Sequence, residues 1–135
     1  EVFNREDGDA PAVDLEAEKR NGEFIRANRE LIKACTDLGD GGLAMAAFEL
    51  AEGAGVGVQI DAGDTPTVFG EDQARYLVAC NFDQAEALMM AAGQAGVTVT
   101  SVGKFGGDMV KIGGSEAPLA ELADVFRSSF AAAVA

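Results

Sequence analysis

The fold is decided by the stretch "TDLGDGGLAMAAFELAEG", residues 36–53. A short apolar segment, "KACTDL", leads into Asp37 and Asp40, the pair Gly41 and Gly42 follows, and an alanine-rich run comes next. Apolar residues recur in that run at helical spacing, so the stretch predicts a short buried strand, a tight turn and a helix that stops at Gly53. As a purely structural feature, the turn would use Asp40 as the N-cap and its glycines for close packing of helix and strand.

The same turn could also bind a ligand. Backbone N–H groups and the helix dipole favour phosphate at a helix N-terminus, whereas Asp37 and Asp40 favour a Mg²⁺-bridged phosphate or a hydroxyl or amine donor. No GK[ST] or GxGxxG is present, which excludes a Walker A loop and the dinucleotide fingerprint. Counted from Asp37, position 12 of an EF-hand loop would be Phe48 instead of Glu. Packing and binding remain open, and Asp37, Asp40, Gly41 and Gly42 are ligand-binding candidates.

A second polar cluster lies in "VFGEDQARYLV", residues 68–78. If these residues begin a strand, alternation places Glu71 and Gln73 on one side, directed at a ligand. Arg75 is a third candidate, or it forms a structural ion pair with Glu71 or Asp72. On spacing alone, solvated charges at an exposed strand start explain the cluster better.

The rest of the chain predicts an α/β (α+β) sandwich, in which a mixed β-sheet is covered by helices. Residues 1–13 are predicted to be a lead-in segment or linker, and residues 14–135 a single domain. The predicted elements, in order, are a helix from the N-cap Asp14 to about Lys33, the strand and helix described above, a strand from Val56, a loop over "AGDTPTVFGED", a strand at "RYLVAC", a helix over residues 83–93, a hairpin of "VTVTSVGKF" and "DMVKIGG" around Gly106–Gly107, and a last helix with Pro118 in its first turn.

Composition excludes several classes of function. The net charge of −13 over 135 residues opposes general nucleic-acid binding, and no apolar run predicts a membrane span. Histidine is absent, which removes the commonest general base, so no catalytic residue and no metal ligand set is predicted. Cys35 and Cys80 are far apart and are predicted to be buried free thiols, which favours the reducing cytoplasm. The chain lacks an initiator Met, which indicates a piece of a longer protein.

Three separated motifs carry a family resemblance. "DLGDGGLAMAAFELA" and "VFGEDQARYLV" resemble the C-terminal domain of the AIR-synthase-like superfamily, and most closely its phosphoribosylformylglycinamidine synthase family. "VGKFGGDMVKIGG" is similar to the closing hairpin of that family, with its I-G-x-x-G-G-D pattern, and residues 1–26 resemble the segment leading into its last domain. The D-G-G-L-A form is typical of the second of two homologous halves in this family.

The resemblance implies a non-catalytic part of an ATP-dependent ligase of de novo purine biosynthesis. In the family, ATP and Mg²⁺ activate the amide oxygen of formylglycinamide ribonucleotide as an iminophosphate, and glutamine-derived ammonia displaces the phosphate. The catalytic histidine and the main Mg²⁺ ligands lie in N-terminal domains, so the chain alone is expected to be inactive. The implied partners are those N-terminal domains of the same chain, a glutaminase subunit and a small accessory subunit, all cytoplasmic.

The resemblance also bears on the candidate residues. In the first half of the family's subunit a Glu-Ser-Gln stretch contacts substrate, and Glu71, Asp72 and Gln73 occupy the matching place here, with Asp for Ser. Gly39 stands where the family has another Ser. Both differences imply a pseudo-equivalent or structural site.

Two alternatives remain open at this point. The chain could be the C-terminal domain of a relative, such as an aminoimidazole ribonucleotide synthase, a selenophosphate synthetase or a thiamine-phosphate kinase homologue. It could also be a stand-alone nucleotide-binding or interaction module. An apolar face left exposed by missing domains would permit a homodimer of the chain.

Overall fold

A computed structural model describes residues 12–61 and 63–134 of the chain. Most of the predicted linker over residues 1–13 lies outside the described residues. The helices and strands, in chain order, are α1 (Leu15–Ala27), β1 (Ala34–Asp37), α2 (Gly42–Ala54), β2 (Val58–Ile60), α3 (Thr65–Phe69), β3 (Tyr76–Ala79), α4 (Phe82–Gln94), β4 (Gly103–Phe105), β5 (Met109–Ile112), β6 (Ser115–Pro118) and α5 (Leu119–Val134).

Helix α1 begins where the sequence predicts and ends earlier. The Asp14 carboxylate accepts hydrogen bonds from the N–H groups of Glu16 and Ala17, which confirms it as the N-cap. The helix stops at Ala27 because Asn28 leaves helical geometry and its side-chain amide donates to the Phe24 carbonyl at 2.9 Å. A single 3₁₀ turn over Arg29–Leu31 follows, so the predicted extension to Lys33 is wrong.

Strands β1 and β3 form a two-stranded antiparallel sheet, in which Asp37 lies opposite Tyr76. The residues of β1 alternate between half-buried and exposed, so the predicted buried strand is exposed on one face. Cys35 lies on that exposed face and Cys80 is half-buried, both as free thiols. The prediction that both thiols are buried is therefore wrong, because β1 belongs to a small sheet with nothing described over its outer face.

The second sheet has the strand order β4-β2-β5-β6. Strand β2 pairs antiparallel with β4 and parallel with β5, so the predicted mixed sheet is confirmed. The predicted hairpin of β4 and β5 is wrong, because β2 lies between them. At this point Gly57 donates to the Gly107 carbonyl and accepts from the Gly106 N–H, both at 2.8 Å, which inserts the start of β2 into the glycine turn.

The hairpin in this sheet joins β5 to β6 instead. The two strands pair antiparallel, with Ile112 opposite Ser115 and Met109 opposite Pro118. Gly113 makes the turn with a φ of +59°, a conformation that glycine adopts without steric cost. Pro118 ends an edge strand, where its missing N–H is tolerated. Helix α5 begins at Leu119, so the prediction that Pro118 lies in the first turn of this helix is wrong.

Helix α2 supplies the centre of the main core. Its predicted apolar face is buried against the four-stranded sheet and β3, although Leu50 is only partly so. The helix continues through Gly53 to Ala54, so the predicted stop at Gly53 is wrong, and Gly55, with a φ of +66°, is the C-cap. The residues buried in this cluster are Leu38, Leu43, Ala46, Ala47, Phe48, Ala51, Val58, Ile60, Leu77 and Val110.

A second, smaller cluster joins α1 to α4. Phe24, Leu88, Ala92 and Val97 are its buried members, and α4 spans one residue more at each end than predicted. The segment between β2 and β3 contains α3, a short helix that the sequence did not predict. It begins at Asp64, whose carboxylate accepts from the Thr67 N–H and hydroxyl, with Pro66 in the first turn.

No helix within residues 12–61 and 63–134 combines the length and the apolar character that crossing a membrane requires.

Candidate functional site

The glycine turn between β1 and α2 brings two of the predicted candidates into one contact. Gly41 is the N-cap of α2, with a φ of +82°, and α2 has no side-chain N-cap. The prediction that Asp40 caps the helix is therefore wrong. Instead, the Gly41 N–H donates a 2.8 Å hydrogen bond to Oε1 of Glu71, which lies 30 residues away in the second polar cluster.

This contact changes the chemistry of the turn. The N-terminus of α2 carries partial positive charge and would attract an anion. The Glu71 carboxylate already occupies the Gly41 N–H, so the protein supplies its own anion at this position. A phosphate group would have to displace it against the repulsion of the nearby carboxylates.

The second glycine of the turn is required by packing. Gly42 has a φ of +60°, and a Cβ built on it would lie 2.8 Å from both the Gly70 carbonyl oxygen and the Phe69 carbonyl carbon. Both neighbours are backbone atoms, which cannot move aside as a side chain does. Gly42 therefore allows the start of α2 to lie against the chain that leaves α3.

The segment that carries Glu71 and Gln73 is a loop, and β3 begins only at Tyr76. The predicted strand alternation of Glu71 and Gln73 is therefore wrong. Arg75 holds this loop: its guanidinium donates to the carbonyls of Gly70 at 3.0 Å and Thr67 at 2.9 Å. It also pairs with Asp72 at 3.5 Å, which confirms the predicted ion pair with one of its two proposed partners.

Helix α1 clamps the other end of the loop. Ala74 has a φ of +61°, a conformation that costs an L-residue energy. One oxygen of Glu18 accepts from the Ala74 N–H at 2.7 Å and the other from the Tyr76 hydroxyl at 2.9 Å. The amide of Asn21 donates to the Ala74 carbonyl at 2.9 Å. Both polar groups of the strained residue are thus held by side chains one helical turn apart.

This clamp also sets the titration of the tyrosine. The hydrogen bond to Glu18, followed by partial burial and the charges of Glu18 and Asp37, raises the pKa of Tyr76. Sequence reasoning missed the clamp because its partners are 53 to 58 residues apart. The only trace in the sequence is a polar pair at helical spacing, Glu18 and Asn21.

The remaining candidates do not gather into a chelating or catalytic site. Asp37, Asp40 and Gln73 are exposed. Partial desolvation, followed by the charge of Asp37, raises the pKa of the Cys35 thiol. Within residues 12–61 and 63–134, no three Asp, Glu or Cys residues lie close enough to hold a metal ion. The part of the chain that the structure describes therefore holds no metal site made of protein ligands alone, and at the turn Glu71 occupies the Gly41 N–H that a phosphate oxygen would otherwise accept from.

The turn, the flanking strands and the mixed sheet identify the class of protein. Residues 1–113 match the family described as AIR synthase related protein, C-terminal domain, and the chain belongs to that family. Over all 135 residues it is 82% identical to the phosphoribosylformylglycinamidine synthase subunit PurL of Ruegeria sp. (strain TM1040). It is 66% identical over 130 residues to the PurL subunit of Jannaschia sp. (strain CCS1). These matches confirm the family resemblance seen in the three motifs.

The chain spans about a fifth of the length of these relatives, 19% for the Ruegeria protein and 18% for the Jannaschia protein. Solved structures show the same fold at low identity. "T. maritima PurL complexed with ATP" aligns with a TM-score of 0.74 at 22% identity, over 87% of this chain and 23% of that one. "Structure of PurLQS from Thermotoga maritima" aligns with a TM-score of 0.73 at 21% identity, over 83% of this chain and 22% of that one. The predicted α/β fold is confirmed.

Proposed function

We propose that the chain is the C-terminal AIR-synthase-type domain of a phosphoribosylformylglycinamidine synthase, the ligase that converts formylglycinamide ribonucleotide, ammonia and ATP to the amidine in purine biosynthesis. The observation that carries this proposal is the 82% identity to a PurL subunit across the full 135 residues. The same observation favours this assignment over aminoimidazole ribonucleotide synthase, the kinase-like relatives and a stand-alone module.

In this proposal the chain contributes structure to the subunit and no reacting group. The sequence has no histidine, and the polar side chains around the turn form hydrogen bonds with groups of the domain itself. Glu71 accepts from the Gly41 N–H at the start of α2, Arg75 donates to the Gly70 carbonyl after α3, and Glu18 accepts from the Ala74 N–H. Together these hydrogen bonds hold the 70–76 loop against the start of α2.

The nucleotide belongs to the complete subunit. The solved structure of T. maritima PurL complexed with ATP supports ATP as a ligand of the whole protein. We propose Mg²⁺ as its companion ion. When bound there, ATP supplies the phosphoryl group that activates the substrate amide. Glu71 accepts the hydrogen bond of the Gly41 N–H. We therefore propose that these residues have a structural role here, at the place where the first half of the subunit contacts its substrate.

The proposed partners follow from the same relatives. The rest of the PurL subunit lies in the same chain, and a glutaminase subunit and a small accessory subunit deliver ammonia. The relative described as PurLQS of T. maritima supports such an assembly. We propose that the protein is located in the cytoplasm, where purine precursors are made.

A chimaera tests this function. The 135 residues replace the matching stretch of the Ruegeria sp. PurL subunit, and ammonia-dependent, ATP-dependent amidation is measured. We expect activity within a few-fold of the parent, while the 135-residue chain alone shows none. As a matched control, the corresponding stretch of the T. maritima protein, 22% identical, is placed in the same position and should fail to restore activity. A folded but inactive chimaera would refute the assignment, as would turnover by the chain alone.

Calorimetry tests the structural role of the turn. In the active chimaera, Asp37→Asn should leave the affinity for ADP unchanged, because the turn does not hold the nucleotide. Weaker ADP binding in this variant would show instead that Asp37 contributes to a Mg²⁺–nucleotide site.

A further inference from the structure

Helix α5 is packed along only half of its length. Leu119 and Leu122 lie against the main core, and Ala123 is buried. Phe126 makes an edge-to-face contact with Phe48, with ring centroids 5.4 Å apart. Residues 127–134 of α5 are exposed.

The unpacked half continues the same apolar stripe into solvent. Phe130 is 76% exposed and Val134 is 66% exposed, and they follow Phe126 at successive spacings of four. Spacings of four keep side chains on one face of a helix. Residues 128–134 include no charged side chain, although 24% of the whole chain is charged. We call Phe126, Phe130 and Val134 the α5 apolar stripe.

An exposed apolar stripe of this kind marks an interaction surface, and the charge of the chain indicates what covers it. Each copy carries a net charge of −13, so a second copy would meet long-range repulsion. Arg127, the cation next to the stripe, is already paired with Glu52. Neither charge nor pairing on this helix favours self-association.

The similarity to PurL subunits indicates that the stripe contacts another part of the same subunit. The family match ends at residue 113, before α5 begins, whereas the Ruegeria PurL subunit matches all 135 residues at 82% identity. The stretch that carries the stripe is thus shared with PurL subunits. About four-fifths of such a subunit lies outside this chain, and covalent linkage holds it at high effective concentration.

From the stripe, the charge and the extent of the matches, we propose that the α5 apolar stripe docks on an apolar surface elsewhere in the same PurL-type subunit. This inference rests on the proposed function. It makes α5 the element that fixes this domain to the rest of the subunit, with Phe130 as its central contact.

Hydrogen exchange in the full-length chimaera tests the docking. Backbone amides of residues 126–134 should exchange at least ten-fold more slowly in the full subunit than in the 135-residue chain. Phe130→Ser should abolish this difference, because it removes the most exposed side chain of the stripe. Val125→Ser is the matched control: it changes an apolar residue that is 58% exposed on another side of the same helix, and it should leave the protection intact.

Three outcomes would overturn the inference. They are equal exchange in chain and subunit, protection that survives Phe130→Ser, and protection of the isolated chain that grows with its concentration, which would identify a second copy as the occupant. Amidation by the unsubstituted chimaera is measured in parallel. Activity without protection refutes the docking alone, and protection without activity refutes the proposed function alone.

Discussion

Replacing Gly42 with alanine should destabilise the domain because the turn needs both an unusual backbone angle and empty space. The φ of +60° at this position costs an L-residue about 1–2 kcal/mol. The new Cβ would also lie 2.8 Å from backbone atoms of Phe69 and Gly70, and relieving such overlap costs about 1–3 kcal/mol. The expected loss is therefore about 3 kcal/mol.

Urea denaturation of the 135-residue chain, followed by far-ultraviolet circular dichroism, measures this loss. With an unfolding entropy of about 2.1 cal/mol/K per residue, about 3 kcal/mol corresponds to a fall in Tm of about 10 °C. Gly39→Ala is the matched control in the same turn: Gly39 lies outside the positive-φ region, and a Cβ there meets nothing within 4 Å. It should be neutral or stabilising by about 0.5 kcal/mol. If both variants unfolded at the same urea concentration, the close approach of α2 to the 70–76 loop would not explain the glycine.

Three further predictions concern the contacts around this turn. Asp14→Ala should lower the free energy of unfolding by about 1 kcal/mol because it removes the N-cap of α1, while Asp83→Ala, which caps nothing, should lower it less; equal losses would contradict the capping role. Glu71→Ala should lower stability by about 1 kcal/mol because it leaves the Gly41 N–H without its carboxylate, and a variant as stable as the parent in the same titration would count against that contact. The raised pKa of Tyr76 means that the folded state holds the phenolic proton more tightly than the unfolded state does. The resulting contribution to stability is complete below about pH 10 and is lost as the pH rises through the folded-state pKa. Stability measured from pH 8 to 11 should therefore fall more steeply for the parent than for Tyr76→Phe, and parallel curves would rule the linkage out.

Local features of the fold could be predicted from the sequence, whereas strand pairing could not. The Asp14 cap and the apolar face of α2 depend on residues within one or two helical turns, and both were predicted. The hairpin was wrong because two strands flanking Gly106 and Gly107 look adjacent in sequence, and nothing local reveals that β2 lies between them. Register depends on contacts across the fold, which a single sequence does not display.

The candidate site shows the same division. The sequence pointed to the glycine turn and to the Glu71–Arg75 cluster as candidate sites, and its predicted ion pair for Arg75 is confirmed. It did not predict that these two stretches meet, because the contact between Gly41 and Glu71 spans 30 residues. This contact changes which ligand the turn favours, because the Glu71 carboxylate takes the place of the anionic ligand that the glycines alone would favour.

The position of β2 has a consequence for synthesis of the protein. Its neighbours β4 and β5 begin 43 and 49 residues after β2 ends, so their synthesis follows after about 2–10 s at 5–20 residues per second. During that interval Val58 and Ile60, each almost fully buried in the finished domain, belong to a strand whose two edges lack their partners. Nascent chains with such a central strand are prone to pair with one another. Helix α2 is complete before β2 is synthesised and packs against it in the finished domain. Substitutions that weaken α2 should therefore lower the soluble yield even where they change the free energy of unfolding little.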